Sequence, residues 1–324
     1  MHSDTLPYEE VKVKIDNAES ITILSHLNPD ADALGTALGI YALLRQDKRK
    51  RVEVVNASTL LPMYLDFLPN FTKIKHQMSY KNSLIISCDC GSIDRLGFDL
   101  DGRDIINIDH HQSNTLYGNI NIVMPRYASS SQVAFDLFKN LYIIDTAGAT
   151  CFYTALLSDT RYFTTSSVNE TVFNVAKELV NLGAKPDEIA KNFTQRRALS
   201  SLRILEKALT SLSLNNNAKI ATLMVSKEDI KSTGATVPDM EGIADYAKSL
   251  ATVEIAVFAM ELDDGIRISL RSKGADVAKV ALSFGGGGHK VAAGFTLEKS
   301  ELQESIDTIL KKIEYLGLLD EKKK

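Results

Sequence analysis

Four short runs rich in β-branched residues punctuate the first third of the chain: ITILSH (21–26), RVEVVN (51–56), SLIISCD (83–89) and DIINID (104–109). Such apolar runs read as strands buried on both faces. Between and after them, apolar residues recur at helical spacing over 32–45, 130–141, 147–158 and 168–182. Strands alternating with helices build βαβ units, so residues 1–187 predict an α/β domain with a doubly wound, mainly parallel sheet.

The period changes after Gly183. A Pro-Asp helix start opens a polar, basic stretch, and residues 188–212 read as a helical linker. Residues 213–324 then predict a smaller α+β domain. SLSL and AKIATLMV are joined by an Asn cluster, VEIAVFAMEL and IRISLRS by Asp-Asp-Gly, which makes two strand pairs. A helix at about 275–283, the loop GGGGH (285–289) and a helix near 299–314 complete this part, and the final EKKK reads as a solvated tail.

Composition narrows the function. With 37 Lys plus Arg against 41 Asp plus Glu in 324 residues, the net charge of −4 offers no bulk electrostatic grip on long nucleic acid, where each phosphate contact draws on a basic side chain. No apolar run approaches the roughly 18 residues of a membrane span. The polar start MHSDTLPYEE lacks the order of a secretion signal, so a cytoplasmic protein without membrane association is expected. Cys88, Cys90 and Cys151 fit no disulfide framework and read as small core residues.

The candidate chemistry sits at strand ends. His26, Asp30 and Asp32 in SHLNPDADALG occupy a strand-to-helix loop, at the edge where open α/β sheets place ligands. One of the aspartates alone would be explained as a helix cap. Asp89 ends the third run, and Asp109, His110 and His111 end the fourth. A carboxylate there needs a cation or hydrogen-bond donors. Adjacent residues of an extended chain point opposite ways, so one histidine is expected on a metal and the other toward a substrate. Asp159 in ALLSDTRYF follows a helical run and by itself would be turn chemistry. Together His26, Asp30, Asp32, Asp89, His110 and Asp159 offer enough ligands for two divalent ions if one carboxylate bridges them. Such a pair clamps the attacking and leaving oxygens at a phosphoryl centre. Imidazole among the ligands favours manganese, iron or cobalt over magnesium. Two Mn2+ are the first expectation, with Mg2+ or Co2+ as substitutes.

Taken in order, HLNPDADALG, SCDCGSIDRLG, NIDHH, LLSDTRYF and SFGGGGHKVAAGF resemble the motifs of the DHH/DHHA1 phosphoesterases, over about residues 20 to 297. Within that family the chain is most similar to bifunctional oligoribonucleases that also act as 3′-phosphoadenosine 5′-phosphate phosphatases. The resemblance implies one manganese on His26, Asp30 and Asp89, and the other on Asp32, Asp89, His110 and Asp159. It places His111 beside the reacting phosphate, with Asp109 fixing imidazole orientation. It also implies that Arg271, Ser272, Lys273, Gly286, Gly287, Gly288 and His289 hold the nucleotide. Arg267, two strides from Arg271 on one strand, joins them, and surface ion pairs are the alternative for both arginines. Arg161 departs from the family pattern, which carries Gly there.

The expected substrates are short single-stranded RNA, degraded to nucleoside 5′-monophosphates, and 3′-phosphoadenosine 5′-phosphate, converted to AMP. Long duplexes are excluded and a homodimer is allowed. The alternatives are a phosphodiesterase for cyclic or linear dinucleotides, and a nucleotide sensor without turnover. Pyrophosphatases share the first-domain motifs, but so small a substrate needs no nucleotide-gripping domain.

Overall fold

The computed structural model describes residues 7–298 and 301–319; the amino-terminal MHSDTL and the EKKK end lie outside the described residues. The chain divides into two compact units, Met1–Arg196 and Arg197–Lys324.

The first unit contains α1 (Tyr8–Asn17), β1 (Ser20–Ser25), α2 (Ala31–Leu44), β2 (Arg51–Val55), β3 (Ile74–Lys75), β4 (Leu84–Cys88), β5 (Ile105–Asp109), β6 (Ile120–Val123), α3 (Ser130–Phe138), α4 (Thr146–Asp159), α5 (Glu170–Asn181) and α6 (Pro186–Thr194). Its six strands lie in the order β3-β2-β1-β4-β5-β6, and every pairing is parallel. The order reverses between β1 and β4, which opens a crevice at their carboxyl ends. Every residue of β1, β4 and β5 is buried, as continuous apolar runs demand. Ile21, Ile23, Ile86, Ile106 and Ile108 pack against Leu34 and Leu38 of α2, Phe135 of α3 and Phe152 of α4 in one core. The three cysteines are free and buried.

Two glycines set the approach of α2 to α4. A Cβ on Gly35 would lie 2.7 Å from the Cys151 carbonyl oxygen and 2.8 Å from Ala155 Cβ, and one on Gly39 would lie 2.4 Å from the Phe152 ring. Only glycine permits this contact, which brings Asp32 at the start of α2 beside Asp159 at the end of α4.

The second unit contains α7 (Leu199–Thr210), β7 (Ser213–Asn215), β8 (Ile220–Val225), α8 (Lys227–Thr233), α9 (Ile243–Lys248), β9 (Ile255–Leu262), β10 (Gly265–Ser272), α10 (Ala278–Ser283), β11 (Gly287–His289), β12 (Ala292–Leu297) and α11 (Leu302–Tyr315). Its sheet runs β11-β12-β10-β9-β8-β7, antiparallel except for β8 with β9. Alternation along β9 splits the core: Ile255, Val257 and Ala259 pack with α10 and α11, while Ala256, Phe258 and Met260 pack with α7 and α9.

Two local expectations change. The stretch read as one connecting helix is two, α6 and α7, because each buries apolar residues in its own unit: Ile189 in the first, Ile204 and Ala208 in the second. The glycine-rich segment is partly a strand. A Cβ on Gly286 would lie 2.3 Å from the Gly294 carbonyl oxygen, and one on Gly288 would lie 2.6 Å from that of Ala292. These glycines therefore allow close packing of β11 on β12.

Among the described residues, no helix is long and apolar enough to cross a membrane.

Candidate metal centre

Three strand ends and one helix end converge at the crevice. The turn after β1 presents His26 and leads into α2, whose N-cap is Asp30: its Oδ1 accepts from the Ala33 N–H at 3.0 Å. Capping and a ligand role are compatible, since a carboxylate has two oxygens. Asp32, in the first turn of α2, is buried and accepts the Ser130 and Ser131 N–H groups at 2.7 and 3.1 Å. Its carboxylate thus sits on the positive end of α3.

Asp89 follows β4 with a left-handed φ of 55°, a conformation that costs about 1 kcal/mol or more outside glycine. Its backbone N–H donates to the Ile108 carbonyl at 3.0 Å, and its Oδ1 accepts the Ser130 hydroxyl at 2.9 Å. The strain aims the side chain into the middle of the cluster. Oδ2 of Asp89 lies 3.7 Å from His26 Nε2, and Oδ1 lies 3.8 Å from His110 Nε2 and 3.4 Å from His111 Nδ1.

His110 Nε2 also faces Asp159 Oδ2 at 3.6 Å and Asp32 Oδ2 at 3.9 Å. In both His26 and His110 the other ring nitrogen is anchored on a backbone carbonyl, that of Leu27 at 2.8 Å and that of Tyr127 at 3.2 Å. Anchoring Nδ1–H in this way leaves Nε2 as an acceptor turned to the carboxylates, the arrangement of a metal-ligating imidazole. The separations of 3.6 to 3.9 Å are too long for hydrogen bonds and suit a cation between the groups. His26, Asp30 and Asp89 form one triad, and Asp32, Asp89 and His110 another; within each, the ligand atoms lie within 4.8 Å of one another, and Asp89 belongs to both.

The expectation that His110 and His111 point opposite ways fails. Their ring centroids are 4.9 Å apart. β5 ends at Asp109, so the alternation of an extended chain does not reach the pair. His111 turns back instead, and its Nδ1 donates to Asp109 Oδ1 at 2.7 Å. Oδ1 also accepts the His110 and His111 N–H groups at 2.7 and 3.1 Å, while Oδ2 accepts the Asn114 amide at 2.5 Å.

The crowded groups shift one another's titration. Burial first, then the charges of Asp89, Asp159 and Asp30, raise the Asp32 pKa well above the carboxylate range. Burial, with Asp89 and Asp30 and against His110 and His111, pushes Asp159 up to about 7. Asp89 is held far below its ordinary value: burial opposes ionisation, but the neighbouring imidazoles of His26, His111 and His110 outweigh it. Burial opposes charge on His111 too, yet its hydrogen bond to Asp109 and the carboxylates push it up to about 9. Burial and mutual repulsion resist full charge on Asp32 and Asp159 beside Asp89, and a bound cation would relieve that repulsion. The donor set of carboxylate oxygens and imidazole nitrogens fits that group.

Sequence pattern carried no signal for Ser130 or Asn114, because serine at a helix start and asparagine in a loop are ordinary. Only their contacts with Asp89 and Asp109 mark them.

In the second unit, Arg267, Ser269 and Arg271 share one face of β10, opposite the buried Ile266, Ile268 and Leu270. Arg271 Nε lies 3.6 Å from Asp245, and its Nη1 donates to the Leu270 carbonyl at 3.0 Å. The Ser272 hydroxyl donates to the Ala275 carbonyl at 2.6 Å, and Lys273 Nζ donates to the Leu250 and Ala251 carbonyls at 2.7 and 3.1 Å. Gly287 has open space around its Cα, and His289 ends β11 exposed.

Comparison with known proteins agrees with this architecture. Residues 20–156 match the family model described as "DHH family, N-terminal domain", and residues 206–316 match the DHHA1 domain. The chain is 28% identical over 298 residues to the bifunctional oligoribonuclease and PAP phosphatase NrnA of Thermus thermophilus, spanning 90% of this chain and 89% of that protein. It is 24% identical to the protein of the same name from Bacillus subtilis, over 91% and 96% of the two chains. A crystal structure of an exopolyphosphatase-related protein from Bacteroides fragilis superposes with a TM-score of 0.86 at 26% identity, covering 95% of this chain and 96% of that one. DHH phosphoesterases are metal-dependent, and this chain carries carboxylate and histidine clusters that could hold a metal ion. The ordered strand-end carboxylates and histidines, the two matched regions and the similarity over most of the chain identify a DHH domain followed by a DHHA1 domain.

Proposed function

We propose that this protein is a manganese-dependent phosphohydrolase that degrades short oligoribonucleotides to nucleoside 5′-monophosphates and converts 3′-phosphoadenosine 5′-phosphate to AMP. The observation that carries the reading is the pair of ligand triads sharing Asp89. The names of the Thermus and Bacillus relatives supply the substrate class.

In this reading His26, Asp30 and Asp89 hold one Mn2+, and Asp32, Asp89, His110 and Asp159 hold the second. When bound, the two ions supply Lewis acidity for in-line displacement at phosphorus and a strong nucleophile at neutral pH. The chain's own groups do the rest. His111, kept charged by Asp109, stands beside the cluster to stabilise charge on a non-bridging phosphoryl oxygen. Ser130 keeps the Asp89 carboxylate, which would be shared by both ions, from rotating. In the second unit, Arg267 and Arg271 offer planar forks for phosphate or base. Gly286, Gly287, Gly288 and His289 complete the nucleotide site, and Ser272 and Lys273 hold the adjoining turn through their carbonyl contacts.

The test compares turnover of a dinucleotide, a pentamer, 3′-phosphoadenosine 5′-phosphate and a cyclic dinucleotide, each with manganese and with magnesium. Manganese-dependent release of nucleoside monophosphates and of AMP is expected, and both are lost in Asp89→Ala and His110→Ala while the fold persists. Full turnover by either metal-loaded variant overturns the ligand assignment. Nucleotide binding by the unmodified protein without turnover of any of these substrates would favour the sensor.

A further inference from the structure

We infer that Asn114 is a positioning residue for His111, acting through Asp109. The inference rests on the phosphohydrolase reading for its kinetic consequence, though the geometry stands apart from it.

Asn114 uses its full hydrogen-bonding capacity. Its amide nitrogen donates to Asp109 Oδ2 at 2.5 Å and to the Cys90 carbonyl at 3.0 Å. Its side-chain oxygen accepts the Asn107 amide at 3.0 Å and the Leu116 N–H at 2.8 Å. Two donors and two acceptors exhaust an asparagine, so the network itself fixes which way the amide faces. Reversal would set an oxygen against both a carboxylate and a carbonyl.

Two consequences meet at the cluster. First, both oxygens of the fully buried Asp109 are fixed. Oδ1 receives the His110 and His111 N–H groups and His111 Nδ1, and Oδ2 is tethered by Asn114. Without the tether Oδ2 loses this donor and the carboxylate is held through Oδ1, so the direction in which Oδ1 meets the His111 imidazole is less narrowly fixed. Second, the Cys90 carbonyl belongs to the residue after Asp89, whose left-handed backbone needs external support. The loop is stapled again by the Thr115 N–H on the Gly91 carbonyl at 2.8 Å and by the Tyr117 hydroxyl on the Cys90 carbonyl at 3.0 Å. Asn114 is therefore a side chain that ties the ends of β4 and β5 together, beside Ser130, whose hydroxyl reaches both Asp89 and Asp109.

The isosteric Asn114→Asp keeps the shape and replaces two donors with a repelling oxygen; Asn114→Ala removes the group. Asn121→Ala is the control for network stability. Asn121 accepts the Asn107 amide at 3.0 Å at the far end of the chain of amides and touches neither Asp89 nor Asp109. With the dinucleotide and Mn2+, Asn114→Asp and Asn114→Ala are expected to lower kcat by about 10- to 100-fold, the usual effect of removing a group that orients a site residue, with KM unchanged. In a His111→Ala background the same changes are expected to cost less than about 3-fold, because the residue they act through is gone. Equal losses in both backgrounds overturn the inference, and so does an equal loss of kcat in Asn121→Ala.

A second readout does not depend on turnover. The His111 Nδ1 proton, identified in NMR spectra by its absence in His111→Ala, is expected downfield in the unmodified protein and shifted or lost in Asn114→Asp. An unchanged resonance overturns the positioning role even if the protein hydrolyses nothing. Lack of hydrolysis with a shifted resonance instead overturns the functional reading alone.

Discussion

Replacing Gly35 by alanine tests whether the α2–α4 contact holds the metal centre together. The added methyl would stand 2.7 Å from the Cys151 carbonyl oxygen, 2.8 Å from Ala155 Cβ and 3.3 Å from the Ala155 nitrogen, where ordinary contact begins near 3.4 Å. Two of these three atoms are backbone, so no flexible side chain can move aside. The helices must separate by roughly 0.7 Å, and a gap of that size forfeits about a quarter to a half of the dispersion energy of the pairs it opens. Overpacking of this kind costs about 1–3 kcal/mol. Alanine returns about 1 kcal/mol through helix propensity. The expected net is a loss of about 1 kcal/mol, which for a unit of this size lowers Tm by roughly 2–4 °C.

The functional effect should exceed the thermal one. α2 carries Asp32 and α4 carries Asp159, both facing His110 Nε2. A displacement approaching 1 Å at reacting groups can cost about 100-fold in rate. The assay pairs a thermal melt with the dinucleotide rate at saturating manganese. Gly148→Ala is the comparison, because its methyl would meet side-chain atoms alone and no closer than 3.3 Å: Leu43 at 3.3, Ile144 at 3.4 and Asp145 Oδ1 at 3.5 Å. A Gly35→Ala protein as stable and active as Gly148→Ala would refute the reasoning.

Three further outcomes are expected. Ser130→Ala removes the hydroxyl on Asp89 but keeps the N–H on Asp32, so activity should fall about 10-fold with Tm nearly unchanged; a large Tm loss would mean the serine is chiefly structural. Glu53 is buried and accepts from Thr22, the Ser79 and Tyr80 N–H groups and Lys75. Although burial resists its ionisation, these partners hold its pKa below the ordinary value. Its contribution to stability is therefore full above about pH 4.5 and is lost as pH falls through the folded pKa. Urea titrations should show unmodified protein and Glu53→Gln differing by about 1–3 kcal/mol at pH 7 and converging in acid; a constant gap would exclude the linkage. Finally, Gly286→Ala should destabilise the second unit, since its Cβ would lie 2.3 Å from the Gly294 carbonyl oxygen, whereas Gly287→Ala meets nothing within 4 Å. Gly287→Ala should melt normally and act only on KM, and a normal KM would remove it from the nucleotide site.

Much of this architecture was legible along the chain. The four β-branched runs became β1, β2, β4 and β5; β1, β4 and β5 are buried throughout as expected, whereas β2 starts exposed at Arg51. The helical periods became α2, α3, α4 and α5 for the matching reason. The ligand-type residues stood out since a carboxylate or imidazole directly after a buried strand demands an explanation. β6, with only four residues, and α1, with a weak period, were not legible, as short or polar segments take their structure from what they pack on.

Tertiary structure decided what depends on direction. The histidine pair was expected to diverge and instead converges, because the strand stops one residue before it. The glycine run read as a loop and is partly a strand that only glycine can press against β12. Ser130 and Asn114 are silent as letters and become informative only through contacts across 41 and five positions of sequence. Residue type and spacing select which side chains reach the sheet edge. The angles between chain segments far apart in sequence select which atoms meet there, and those angles are set by packing, which no local pattern encodes.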